Sequence, residues 1–121
     1  MKEKATIGIA ITEKQYSKKV SEKDFLEQVI DLAHIFGWRV AHFRPARTEK
    51  GWRTAVSADG AGFPDICMVR SSRVVYAELK SEKGKIGDAQ IEWLEALQGT
   101  GKVEVEIWRP SDFDRITEVL R

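Results

Sequence analysis

Two short apolar runs, Ile66-Cys67-Met68-Val69 and Val74-Val75-Tyr76-Ala77, are separated only by Arg70-Ser71-Ser72-Arg73. A connection that short and polar suits a hairpin turn between two antiparallel strands. This pairing has a chemical consequence. Asp65 opens the first run, at the end of Gly62-Phe63-Pro64-Asp65, and Glu78-Leu79-Lys80 closes the second. Residues two apart on a strand share a face, so Glu78 and Lys80 project together. If the runs pair, Asp65 approaches Glu78. Two carboxylates and a backbone carbonyl then form an oxygen-donor set of the kind that takes Mg²⁺ or Mn²⁺. The plainer alternative for the same residues is a solvated turn with a surface ion pair between Glu78 and Lys80.

The flanking segments are punctuated like an α/β domain. Ser21, with Asp24 three residues on, predicts a helix start. Phe25, Val29, Leu32, Ala33 and Phe36 recur at helical spacing, and Gly37 stops that helix. A strand through Val40, His42 and Arg44 follows. Residues 45–62 carry three glycines and no periodicity, which predicts a long loop. Beyond the hairpin, a Lys- and Gly-rich stretch at 81–87 leads into a helix capped by Asp88. It turns Ile91, Leu94 and Leu97 inward and ends at Gly99. Val103, Val105 and Ile107 alternate with Glu104 and Glu106 as a fourth strand, and Ser111 caps a last helix through Leu120. The order is αβββαβ with an extra C-terminal helix. It predicts an α/β fold with a central mixed sheet flanked by helices.

A chain of 121 residues has room for one domain, assigned to residues 21–121, with residues 1–20 as an N-terminal extension. Within that extension, residues 5–12 are placed to add an edge strand to a partner. With 42% hydrophobic and 32% charged residues, the chain is not disordered for most of its length. No apolar run approaches the ~18 residues of a membrane-spanning helix. No small-residue cleavage site follows residues 5–11, so a cytoplasmic location is expected. The single Cys67 excludes an intramolecular disulfide and reads as a buried thiol.

A net charge of +1 makes no global case for nucleic acid. The distribution is more telling. From Trp38 to Arg53, the basic residues Arg39, Arg44, Arg47, Lys50 and Arg53 stand against Glu49 alone. A positive loop beside an acidic metal site suits a phosphodiester substrate, although charge alone equally suits a solvated loop. Trp52 beside Arg53 is placed to stack on a base. Trp93, at helical spacing with Gln90 and Leu97, reads as packing. His42 reads as a substrate-side group and His34 as structural, because their spacing offers no zinc pattern.

Pro64-Asp65 followed by Glu78-Leu79-Lys80 resembles the active-site motif of the PD-(D/E)XK nuclease superfamily. The stretch from Glu22 to Leu120 resembles, more narrowly, the VRR-NUC family of virus-type replication-repair nucleases. The resemblance rests on Glu22-x-x-Phe25, Gly37-Trp38, His42-Phe43-Arg44-Pro45, Gly62-Phe63-Pro64-Asp65, Ala77-Glu78-Leu79-Lys80, Gln90-x-x-Trp93 and Trp108-Arg109-Pro110-Ser111-Asp112, in that order. It implies a metal-dependent DNA endonuclease of a kind found in phage genomes. Branched, flapped or Holliday-junction DNA is the implied substrate, and two symmetric cuts would call for a homodimer.

The resemblance also implies roles. Asp65 and Glu78 are the metal ligands, with the backbone carbonyl of Leu79. Lys80 activates the attacking water or stabilises the charged phosphate. Glu22 completes the outer metal shell, and Gln90 holds the constellation or contacts substrate. Glu27 is the alternative to Glu22. Glu22 is favoured because it shares a helical face with Phe25, Leu26 and Val29, whereas Glu27 falls near Asp31. Opposite charges beside Lys80 favour its charged form, which makes it an electrostatic stabiliser rather than a free base. The competing reading is a non-catalytic DNA-binding module on the same fold. The presence of Glu22, Asp65, Glu78 and Lys80 together weighs against it.

Overall fold

The computed structural model describes residues 20–43, 46–48, 51–53 and 57–121, with the side chains of 46–48 and 51–53 outside that description. Helix α1 (Glu22–Ile35) starts at Ser21, whose Oγ accepts the Asp24 N–H at 3.0 Å. It stops where a residue of positive φ is needed. Gly37, at φ +86°, lets its own N–H reach the His34 carbonyl and the Trp38 N–H reach that of Ala33, at 3.0 and 2.9 Å. Both bonds belong to a left-handed glycine cap, which satisfies carbonyls the helix end would otherwise leave orphaned.

The chain then lays down β1 (Arg39–His42), a small antiparallel pair β2 (Ala46–Thr48) and β3 (Gly51–Arg53), and the hairpin β4 (Ile66–Arg70) and β5 (Arg73–Leu79). Helix α2 (Asp88–Gln98) crosses to β6 (Glu104–Trp108), and a single 3₁₀ turn, Pro110–Asp112, leads into α3 (Phe113–Leu120). The main sheet has the order β1-β4-β5-β6. Its first three strands are antiparallel and the β5–β6 pair is parallel, so the sheet is mixed, as expected. No described helix is long and apolar enough to cross a membrane.

Alternation along the strands sends Ile66, Met68, Val75, Ala77, Leu79 and Trp108 to one face. There they are buried against Phe25, Val29 and Ala33 of α1 and Ile116 and Leu120 of α3. Each large side chain so buried contributes about 1.5–3 kcal/mol. The far end of this layer is tied by polar contacts. Trp38 Nε1 donates to the Leu120 carbonyl at 2.8 Å, and the Arg70 guanidinium donates to the carbonyls of Phe36, Leu120 and Arg121 while lying 4.6 Å from the Trp38 ring.

Several expectations need correction. Residues 45–62 are not a plain loop: β2 and β3 pair within them, and strands of three residues are too short to display a period of two. Helix α2 is capped by Gly87 rather than Asp88, because the Gln90 side chain turns back to accept the Gly87 N–H at 2.8 Å. Asp88 sits in the first turn instead, where its charge still suits the helix dipole. Ser111 does not cap α3. Its hydroxyl donates to Glu82, Pro110 begins the 3₁₀ turn, and Asp112 becomes the cap residue. Finally, Ile91 and Ile107 are 40% and 37% exposed, lining an open apolar groove with Leu94 and Val105 rather than a closed core.

Candidate active site

The hairpin register brings the two acids together. Ile66 pairs with Ala77, so the next residues outward, Asp65 and Glu78, meet where β4 begins and β5 ends. The Asp65 carbonyl accepts the Phe43 N–H at 3.3 Å, and its side-chain Oδ2 accepts the Leu79 N–H at 2.8 Å. Asp65 is thereby clamped between β1 and β5.

Glu78 alternates with Ala77 and Leu79 and therefore faces α2, on the side of the sheet away from the main core. It is 1% exposed, the single buried charged residue in the described structure. Gln90 Nε2 donates to its Oε2 at 2.7 Å, and Lys80 Nζ stands 3.7 Å from the same oxygen. Glu78 Oε1 is buried with no hydrogen-bond partner. Gln90 spends its own oxygen on the Gly87 N–H, so one amide both starts α2 and orients the carboxylate.

A buried carboxylate with an unpartnered oxygen resists ionisation. Burial is the main cause that pushes Glu78 from its ordinary 4.5 up to about 8. The Asp65 charge adds to the shift, Lys80 opposes it, and the charge of Glu22 raises it further. Bringing a divalent cation to this pair relieves both the like charges and the orphaned oxygen. Among the described residues, no cluster of three or more His, Cys, Asp or Glu is placed to hold a metal ion; the side-chain donors that Asp65 and Glu78 could offer a cation are two carboxylates. That number fits Mg²⁺, or Mn²⁺ in its place, which keeps several waters and uses one or two carboxylates. It does not fit a closed zinc site with four protein ligands.

The other residues singled out in the sequence fall in three groups. Lys80 and Gln90 join Asp65 and Glu78. Glu22, exposed on the first turn of α1, lies near enough for its charge to act on Glu78, while Glu27 is exposed further along the helix. His42 pairs with Ile66 and is half-buried on the α1 side of the sheet, so the register does not bring it to the carboxylates' face. Arg44 lies outside the described residues. Arg47, Trp52 and Arg53 have backbone positions in β2 and β3, and their side chains lie outside the description.

Three supports were not read from the sequence. Phe63 is the hub of an aromatic cluster, with ring centroids 5.7 Å from Phe43, 5.6 Å from Tyr76 and 5.0 Å from Trp93. Trp93 Nε1 donates to the Asp59 carbonyl at 2.8 Å, so Trp93 packs, as read, and also fastens the segment leading to Asp65. Gly62 is the point of closest approach. At φ +86°, a Cβ there would stand 2.7 Å from the Ala89 carbonyl carbon. Gly62→Ala is therefore expected to destabilise by roughly 1–3 kcal/mol. Cleavage should fall further than the lost stability explains, because Ala89 adjoins Gln90. Urea unfolding beside activity at a temperature where the variant is folded checks this, and wild-type stability would refute the contact.

The third support is Arg109. Its Nη1 donates to the carbonyls of Ser81, Glu82 and Gly84 at 2.7, 3.2 and 2.7 Å. The only sequence signal for Arg109 is its place in the run Trp108-Arg109-Pro110-Ser111-Asp112.

A family model for the VRR-NUC domain matches residues 12–110, a span that includes Glu22, Asp65, Glu78, Lys80, Gln90 and Arg109. No curated protein matches the chain.

Proposed function

This chain is a member of the VRR-NUC family of nuclease domains, and on that premise we propose that it is a divalent-metal-dependent endonuclease hydrolysing phosphodiester bonds in DNA. The observation that carries the proposal is the buried Glu78 carboxylate, one oxygen unpartnered, set beside Asp65 and Lys80 within the matched domain. Asp65 and Glu78, with the Leu79 carbonyl, would hold Mg²⁺ or Mn²⁺. When bound, that ion supplies Lewis acidity, lowering the pKa of a water and polarising the phosphoryl oxygen.

The remaining work belongs to the chain. Glu78 must give up its proton to become a ligand, and Gln90 keeps the freed carboxylate aimed. Lys80 Nζ, beside the same carboxylate, is placed to offset negative charge that builds on the phosphate as water attacks and the P–O ester bond breaks. Glu22, the first-helix acid, takes the outer-shell role. Branched, flapped or junction DNA is the proposed substrate, in phage-type replication or repair. Junction resolution, with its paired cuts, goes with a homodimer.

The test is incubation of the purified protein with labelled junction, flap, duplex and single-stranded DNA, with and without Mg²⁺ or Mn²⁺. Cleavage should require the ion and stop with excess chelator. Full cleavage in EDTA refutes the metal assignment, and metal-independent binding without any cleavage favours a non-catalytic DNA-binding module. In the same assay Glu22→Gln should lower cleavage and weaken its response to limiting metal, with Glu27→Gln nearly silent. The reverse pattern moves the outer-shell role to Glu27.

A further inference from the structure

The loop 81–87 joins Lys80 to α2 and has the sequence Ser-Glu-Lys-Gly-Lys-Ile-Gly. Loops of this composition are ordinarily mobile, but this one is fastened on two sides. Arg109 draws three of its carbonyls onto one guanidinium nitrogen. Glu82 accepts from both the Ser111 N–H, at 3.1 Å, and the Ser111 hydroxyl, at 2.8 Å. Those contacts occupy the loop's only acid and turn Arg109 inward. Lys83 and Lys85 are left exposed, and neither has an ion-pair partner among the described residues. The loop also adjoins the reaction centre. A Cβ at Gly84 would meet the Lys80 Cδ at 3.5 Å and the Ser81 Oγ at 3.0 Å, so the backbone there folds over the lysine that reaches Glu78.

We propose that the loop 81–87 is a preformed arm that binds the phosphate backbone of DNA through Lys83 and Lys85, with Arg109 as the positioning residue that fixes its shape. The inference rests on the nuclease reading, since it supplies a backbone contact beside that site. Two exposed cations on a fixed loop release counterions from DNA without first ordering the loop, which favours binding over the same charges on a mobile tail. Arg109 acts through the loop and touches no DNA.

The experiment measures binding of a labelled duplex in EDTA across a salt series, so that affinity is read apart from catalysis. The Lys83→Ala, Lys85→Ala double variant alters only exposed side chains. It should bind several-fold more weakly, and its log–log salt slope should fall by about two units, one per phosphate contact. Arg109→Lys keeps the net charge, but its shorter side chain ends the donor short of the Nη1 position where the three carbonyls converge. It should show much of the same loss, and combined with the double variant it should add little to it. An unchanged slope in the double variant overturns the arm. Wild-type binding by Arg109→Lys, or full additivity, overturns the positioning role. Cleavage by the wild type in Mg²⁺ or Mn²⁺ is scored in parallel. Cutting with an unaltered slope rejects the arm and leaves the nuclease reading standing, whereas the expected slope change without any cutting does the reverse.

Discussion

Glu78→Gln should abolish cleavage and, with no metal present, raise the stability of the protein at pH 9. Both effects come from one buried oxygen pair. The native carboxylate is pushed up to about 8 by burial and by Asp65, so the folded protein holds this proton where the unfolded chain has released it. The stability this contributes is fully present below about 4.5, is lost as pH rises, and is gone above about 8. The introduced amide resembles the protonated acid: it still accepts from Gln90 and can donate towards Asp65. The variant should therefore match the wild type near pH 4 and exceed it at pH 9 by an amount on the order of a few kcal/mol. Thermal melts across pH in EDTA read this directly. Mg²⁺ or Mn²⁺ should raise the wild-type melting temperature at pH 9 and leave that of the variant unmoved. A variant that is no more stable than the wild type at pH 9 would show that Glu78 ionises without penalty.

Asp65→Ala is the second large effect, and its pH dependence runs the other way from a simple loss. Cleavage should fall by more than about 100-fold, beyond what removing a residue behind a metal ligand ordinarily does. At pH 5 the variant should also be less stable by roughly 1–3 kcal/mol, since the Leu79 N–H loses its acceptor. At pH 9 that deficit should shrink. Without the neighbouring negative charge, Glu78 ionises at a lower pH and the stability it withdraws on ionising is smaller. Urea unfolding at the two pH values separates the terms, and an equal deficit at both would mean that the Asp65 charge does not act on Glu78.

The site was legible because its central contact is a matter of register. Once Arg70-Ser71-Ser72-Arg73 closes a hairpin, Ile66 meets Ala77 and Asp65 must stand beside Glu78. The helix boundaries at Ser21, Gly37 and Gly99 were legible for a similar reason, as each solves a local problem with a local residue. What escaped the sequence depends on partners far along the chain. Gly62 looks like a turn glycine, and only the fold puts Ala89 against it. Arg109 finds its acceptors 25 to 28 residues earlier, at a distance no periodicity encodes. Gly87 wins the cap from Asp88 because Gln90 has a second engagement with Glu78. Apolar spacing at Ile91 and Ile107 marks a shared face correctly but says nothing about whether anything covers it.

Gln90 also sets an order of assembly. Its oxygen closes the first turn of α2 and its nitrogen holds Glu78, so the start of the helix and the candidate site share one side chain and are expected to form together. That event lies on the crossover from β5 to β6, and parallel pairing of this kind closes over a long loop and is slow compared with a hairpin. A nascent or partly refolded chain can thus have its two acids adjacent and still lack the means to aim them. Cutting power should return during refolding no sooner than amide protection in α2 and β6, a sequence that pulsed hydrogen exchange and timed activity assays can follow together. On the proposed reading, cleavage waits until α2 is in place.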